Sequence, residues 1–332
     1  MLNPDLKLNE KLFKEGVEQR ATRKGYGEGL VELGEKNPNI VVLTADLSES
    51  TKTEEFEKKY PDRFFECGVA EQNMAAIAAG LGISGKIPFI SSYATFSPGK
   101  NWETIRTTII YNNSNVKIAG HHSGIVTGPD GATHQATEDI AITRAWPNIT
   151  VIVPCDAIEA KKTTVKAAEI EGPVYLRFTR DKTPVITTSD TPFNHKIQVF
   201  WESDPSASEP LAVIFATGHI LYNALLAANE LEKENIHVLV ANVATIKPLD
   251  EKTVYDLAKK TGAVVTVEDH QIMGGLGGAI AETLAKTNPT PMEFIGLQNT
   301  FAESGTPKEL MEKYGMDSKA IQKAVRQVIK RK

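Results

Sequence analysis

The sequence predicts an α/β protein of two domains, residues 1–195 and 196–332, each a mostly parallel sheet flanked by helices. Three observations predict it. Short apolar runs rich in β-branched residues recur, such as Ile40-Val41-Val42-Leu43 and Leu211-Ala212-Val213-Ile214-Phe215; a strand without polar alternation is one covered on both faces, as parallel strands are. Helical patterning follows almost every run, the alternation expected of βαβ units. Finally, 332 residues exceed one typical domain, and the rhythm breaks once, over residues 181–209, where Asp204-Pro205-Ser206-Ala207-Ser208-Glu209-Pro210 has the composition of a linker.

In chain order, residues 8–36 read as helical, with a break near Arg20-Ala21-Thr22-Arg23. The first strand run, residues 40–43, enters a polar turn from Thr44 to Thr51. Phe64-Phe65 leads through Cys67-Gly68 to a small-residue helix that begins at Glu71. Ile87-Pro88-Phe89-Ile90 precedes a helix near 101–112, and Val116-Lys117-Ile118-Ala119 precedes a long polar loop from Gly120 to Gln135 with a helix near 137–145. Thr150-Val151-Ile152-Val153 and a helix near 156–170 follow, and residues 174–178 end the first series. The second series has strand runs at 211–215, 238–240, 263–267 and 292–295, and closes with a pair of helices.

Composition narrows the function. Hydrophobic content of 41% and charged content of 24% are those of an ordinary soluble protein. A net charge of −5 gives no electrostatic reason to expect nucleic acid or an anionic membrane, so any phosphate site must be a local cluster of cations. Two distant cysteines, Cys67 and Cys155, offer neither ligand spacing for zinc nor a disulfide framework, which suits a reducing, cytoplasmic location. No secretory signal and no membrane-span pattern is present.

Two glycine-rich stretches imitate nucleotide motifs. Residues 80–87 nearly match a phosphate loop, but Ile87 stands where a hydroxyl should hold magnesium, and the stretch follows a helix. Gly274-Gly275-Leu276-Gly277-Gly278 lacks the third small residue of a dinucleotide fingerprint and reads instead as close packing at a helix start.

Chemistry is expected in the loops after the strands, because ligands bind parallel sheets at strand C-termini. Glu71 alone reads most simply as an acid favoured by the helix dipole; the alternative is a carboxyl that trades a proton with a ligand. The other loops decide. They carry Tyr93, Thr95 and Phe96 after the third run, and His121, His122, Asp130 and His134 after the fourth. Arg177 and Arg180 close the fifth; Arg23 precedes the first strand and Ser50 follows it. Each has an ordinary reading as a surface aromatic, turn histidine or solvated arginine. Together at one sheet edge, Arg and His cations with a Ser hydroxyl suit a phosphate, and a His and an Asp in a glycine-rich loop suit proton handling and hydroxyl recognition.

Four stretches carry a resemblance: Ala21-Thr22-Arg23-Lys24, Ala45-Asp46-Leu47, Gly68-Val69-Ala70-Glu71-Gln72-Asn73-Met74 and Gly128-Pro129-Asp130-Gly131-Ala132-Thr133-His134-Gln135. In register over almost the whole chain, they resemble the second half of transketolase. The resemblance implies a pyrimidine-binding domain of the thiamine-diphosphate-binding fold followed by the transketolase C-terminal domain. It implies that Glu71 hydrogen-bonds N1′ of the cofactor's aminopyrimidine, that Phe96 stacks on that ring with Tyr93 lining the pocket, and that Asp46 belongs with the cofactor contacts. It further implies that His134 moves protons on the sugar and Asp130 reads the donor's C2 hydroxyl, while Arg23, Ser50, His122 and Arg180 clamp the sugar phosphate. The implied reaction transfers a two-carbon ketol unit from a ketose phosphate to an aldose phosphate, as in the pentose phosphate pathway.

The family's diphosphate-binding domain, with its GDG motif and later Asn for the metal, has no counterpart here. The resemblance therefore implies no metal ligand on this chain, Mg²⁺ (or Ca²⁺) on a separate N-terminal subunit, and an α2β2 heterotetramer. Alternatives are half of a deoxyxylulose-phosphate synthase, which shares the Tyr93–Phe96 and Gly128–Gln135 stretches, the β subunit of a 2-oxo acid dehydrogenase, which needs no sugar-phosphate grip, and a non-catalytic regulatory subunit. The C-terminal domain shows no catalytic constellation and is expected to serve packing and assembly.

Overall fold

The computed structural model describes residues 1–202 and 209–332, so residues 204–208 of the expected linker lie outside the described residues. The chain begins with turns. Strand β1 (Gln19–Ala21) leads into α1 (Thr22–Lys36), β2 (Ile40–Thr44), two short helices α2 (Ser48–Thr51) and α3 (Glu54–Lys59), and β3 (Phe64–Glu66). Next come α4 (Glu71–Ile83) and β4 (Ile87–Tyr93). Two π-helical stretches, Thr95–Lys100 and Ile105–Ile110, flank α5 (Trp102–Thr104). The first unit continues through β5 (Lys117–His121), α6 (Asp139–Arg144), β6 (Thr150–Ile152), α7 (Ala157–Ala167), β7 (Val174–Arg177) and β8 (Lys182–Pro184).

The second unit comprises β9 (Gln198–Trp201), β10 (Ala212–Ala216), α8 (Leu221–Lys233), β11 (Val238–Asn242), β12 (Thr245–Lys247), α9 (Glu251–Thr261) and β13 (Val264–Gln271). It ends with α10 (Leu276–Thr287), β14 (Met292–Leu297), α11 (Pro307–Lys313) and α12 (Ser318–Ile329).

A seven-stranded sheet, ordered β12-β6-β7-β5-β4-β2-β3, forms the first layer, and a five-stranded sheet, β14-β13-β10-β11-β9, the second. Both are parallel except at one edge, where β12 and β9 run antiparallel to their neighbours. The reason lies in the side-chain alternation of a strand. In β2, Ile40 and Val42 enter a core with Tyr26, Leu30 and Phe56, whereas Val41 and Leu43 enter another with Met74, Ala78 and Ile109. In β10, Val213 and Phe215 face one core and Ala212, Ile214 and Ala216 the other. A wholly apolar run is thus one strand feeding two cores.

The units exchange segments. β12, from the second series, completes the edge of the first sheet beside β6. In return, Leu8 and Leu12 pack into the second unit's core with Phe200, Trp201 and Leu221. That exchange explains a departure from the sequence reading: residues 8–18 are not helical. Asn9 instead donates to the carbonyls of Ile186 (backbone N, 2.9 Å) and Val185 (Nδ2, 2.8 Å), and the helix starts at Thr22. The glycine-rich stretch at 274–278 opens α10 by close packing: a Cβ on Gly277 would lie 2.6 Å from the Phe294 ring.

A buried acid pair joins the units. Asp156 caps α7, accepting from the Glu159 backbone, and also takes the backbone N–H groups of Ile186 and Thr187. Glu159 accepts from Cys155 N (2.6 Å) and from Asn242 Nδ2 (2.9 Å) across the boundary. Burial first, and the Asp156 charge second, push its carboxyl up to about 7. A raised carboxyl pKa favours the folded state while the group is protonated, and that contribution is lost as pH rises from the unfolded value near 4.5 through about 7. Glu159→Gln removes the titration. Relative to the wild type, its stability should improve between pH 5 and pH 8 by up to about 3 kcal/mol, measured by denaturant unfolding; a constant difference across that range would sink this account.

Candidate active site

The C-terminal ends of β4 and β5 lie side by side, with Tyr93 opposite His121. His121 turns into the core as a neutral ring between Tyr26 and Phe178, at centroid distances of 4.9 and 5.1 Å, its pKa held well below the ordinary value by burial. His122 faces the other way. Its ring lies against Tyr93 at 3.8 Å, and Tyr93 stacks on Phe96 at 5.8 Å with 21° between planes. His134 meets the Phe96 ring edge-on at 5.6 Å. Tyr93, Phe96, His122 and His134 thus form one half-buried aromatic cluster.

Arg23, in the first turn of α1, reaches this cluster. Its Nη1 donates to the Ser50 carbonyl at 2.8 Å and lies 3.1 Å from His122 Nε2. A guanidinium only donates, so Nε2 must accept and the proton sits on Nδ1. That Nδ1 is buried and has no partner among the described residues. Burial first, then the Arg23 and Arg180 charges, push His122 down to about 3. The sequence reading of His122 as a cation is therefore corrected: it is a neutral donor with an unused N–H. Ser50 likewise contributes its backbone carbonyl to Arg23, not its hydroxyl.

Arg180 completes the polar side. Its Nη1 donates to the Thr127 carbonyl at 3.0 Å and lies 3.6 Å from Asp130. A cavity of about 320 Å³ is lined by Arg23, Val126, Pro129, Arg180 and Asp181, with Thr306 and Pro307 from the second unit. Burial, then the Arg180 charge, lower the pKa of Arg23 from its ordinary value. Two guanidinium groups this close together suit an anion.

Glu71 opens α4 and is 2% exposed. The sequence shows it without a partner; the structure gives it one. Lys100, 46% exposed, bonds Oε2 at 2.7 Å, and Asn101 Nδ2 donates to the Glu71 carbonyl. Asn101 also holds Ser97, next to Phe96, so Glu71 and the aromatic cluster share one support. Asp46 stands apart. It is exposed, in a left-handed conformation at φ 59°, and its N–H is taken by Glu66 at 2.8 Å. No hydrogen bond or ion pair joins it to the cluster among the described residues.

Sequence reasoning missed Lys100 and the second unit's Asp269. Lys100 lies on the π-helical stretch, whose i→i+5 winding has no sequence signature. Asp269, just after the 263–267 strand run, accepts from Ile125 N at 2.9 Å and reaches the glycine-rich loop from 144 residues away. Arg177, a candidate cation, is instead buried against Asp139 at 2.8 Å.

The strand C-termini of one parallel sheet thus gather a buried helix-initial carboxylate, stacked aromatic rings and paired arginines. Residues 18–185 match the family profile "Transketolase, pyrimidine binding domain", and residues 205–321 match "Transketolase, C-terminal domain". The chain belongs to the transketolase family. It is 44% identical to a Methanocaldococcus jannaschii protein named for a transketolase C-terminal section, over 94% of this chain and 97% of that one. To a 6-deoxy-6-sulfo-D-fructose transketolase subunit of Clostridium sp. it is 36% identical, over 96% and 98%. Human transketolase is also 36% identical, but the chain spans only 49% of its length. Among solved structures, one titled "Split gene transketolase, inactive beta4 tetramer" superposes with a TM-score of 0.85 at 45% identity, covering 93% of this chain and 98% of that one. No described helix is long and apolar enough to cross a membrane.

The His122 assignment is testable by NMR of ¹⁵N-labelled imidazoles. The ring should stay neutral, protonated on Nδ1, from pH 8 down to about 4, consistent with a pKa of about 3. A midpoint above 6 would overturn it.

Proposed function

We propose that the chain is the C-terminal subunit of a split transketolase, moving a two-carbon ketol unit between sugar phosphates together with an N-terminal subunit that holds the diphosphate. One observation carries this reading: the buried Glu71 carboxylate and the arginine-flanked cavity bracket the Tyr93–Phe96 rings. It is supported by the near-complete overlap with relatives named as a section or a subunit, and by the half-length overlap with human transketolase.

The residues fit the pyrimidine end of thiamine diphosphate. A buried carboxylate can bond a ring nitrogen, and aromatic faces can cover a flat heterocycle. When bound, the cofactor supplies the carbon nucleophile and the electron sink. Glu71 holds the proton exchanged with the pyrimidine nitrogen, and Phe96 and Tyr93 orient the ring and exclude water. Asp46 is assigned to the cofactor side. His134 moves protons on the sugar and Asp130 reads its hydroxyl. Arg23 and Arg180 grip the terminal phosphate, with His122 and Ser50 beside them. The metal, Mg²⁺ or Ca²⁺, belongs to the partner in an α2β2 assembly. Residues 1–195 serve as the pyrimidine-binding domain and 196–332 as the C-terminal domain, and the free thiols of Cys67 and Cys155 suit the cytoplasm.

Co-purification with the N-terminal subunit tests this. With thiamine diphosphate and Mg²⁺, the pair should convert xylulose 5-phosphate and ribose 5-phosphate, and neither chain should do so alone. Glu71→Gln should lower kcat by about 100-fold or more. Full activity in that variant, or decarboxylation of pyruvate in place of ketol transfer, would refute the assignment.

A further inference from the structure

The second unit does more than pack against the first. Its sheet also has a C-terminal edge, where ligands of parallel sheets bind, and that edge meets the loop carrying Asp130 and His134. Asp269, near the end of β13, is 1% exposed. Its Oδ1 accepts from Ile125 N at 2.9 Å, and His219 Nε2 holds its Oδ2 at 3.0 Å. Gly124, at φ +79°, makes room for it: a Cβ there would stand 1.9 Å from the carboxylate. No other residue type meets both demands.

The loop is fastened again near its tip. Gln135 Nε2 donates to the carbonyl of Glu303 at 3.1 Å and to that of Gly128 at 3.2 Å. Ser304 Oγ lies 2.6 Å from where a Cβ on Gly131 would be, so the turn at 303–307 presses directly on the loop backbone. The loop's far end is held too, by Gln271 N donating to the Thr137 carbonyl at 2.7 Å. Between these fastenings, Thr127 bonds the His122 carbonyl through its hydroxyl and receives Arg180 on its own carbonyl. A shift of the loop therefore bears on His122, Asp130 and Arg180 together, whereas Glu71 and Lys100 hang on separate elements.

We infer that Asp269 is a positioning residue: with the 303–307 turn, it fixes the loop that reads the sugar phosphate and so sets affinity for the phosphorylated substrate without touching it. The substrate part of this inference rests on the proposed transketolase activity; the positioning part does not.

Two measurements separate those parts. In the isolated chain, hydrogen exchange of amides in residues 122–136 should quicken by roughly tenfold or more in Asp269→Ala. A control of similar stability loss, Val328→Ala in the second unit's core, should leave that segment protected. Asp269→Asn keeps an acceptor for Ile125 N and should restore most of the protection. His219→Ala removes the partner of Asp269 but no loop contact; it should loosen the same segment less, and it decides the matter if Asp269→Ala does not fold. Unchanged exchange in both variants, or equal loss in the control, overturns the positioning role. In the complete enzyme, Asp269→Ala should raise KM for the ketose phosphate by about tenfold, and His219→Ala by less, while thiamine diphosphate binding, read by calorimetry, stays within about twofold. An unmoved KM, or a parallel loss of cofactor affinity, overturns the substrate role. If the wild-type pair transfers no ketol unit, the functional reading fails and the exchange result still decides the positioning.

Discussion

The buried Arg177–Asp139 pair is the constraint on which the site depends. Arg177 ends β7, and its Nε and Nη2 both reach the Asp139 carboxylate at the start of α6. The same Nη2 donates to the carbonyls of Ala136, where the glycine-rich loop ends, and Asp269, in the second sheet. Tyr175 adds its hydroxyl to Asp139 at 2.6 Å. One guanidinium thus joins a strand, a helix start, a loop and the neighbouring unit. Burying a charge is costly unless every partner is present, so the arrangement has one geometry. Removing either partner would strand the other charge, at a cost on the order of 3–5 kcal/mol. The loop inherits that rigidity.

The Arg23–Arg180 end of the site, which we propose holds the substrate phosphate, is built by contrast. Around Arg177 the charges are matched and dry; around Arg23 and Arg180 they are half-matched and wet. Asp130 sits 3.6 Å from Arg180 and is exposed, and His122 is kept uncharged beside Arg23. A protonated His122 would add a third cation and a further repulsion. A neutral one accepts from Arg23 without that penalty. Charge is concentrated on guanidinium groups, whose fork geometry suits a phosphate, and the neutral imidazole packs between Arg23 and Tyr93.

Much of this was legible in the sequence, for identifiable reasons. Wholly apolar runs such as residues 40–43 and 211–215 reveal strands buried on both faces, because no other short element needs apolar side chains at every position. Placing loops at strand C-termini then gathers Tyr93, Phe96, His122 and His134 before any distance is known. The failures have a common cause too. Residues 8–18 look helical by composition, yet Leu8 and Leu12 are committed to the other unit's core. Arg177 reads as a free cation because Asp139 and Asp269 are 38 and 92 residues away. Local pattern registers what a residue is and which face it occupies. It does not register which distant group will neutralise it.

The edge strand β12 carries a consequence for how the molecule is divided. Two family profiles match separate stretches, which suggests two portable modules. Yet residues 245–247 complete the first sheet by pairing with β6, and residues near the N-terminus fill the second core. Cutting the chain between the profiles would uncover the unpaired edge of β6, a template for aggregation, and open a hole where Leu8 and Leu12 had been. Recombination between relatives would have to move both halves at once. The unit of structure here is the interlocked pair, not the single domain.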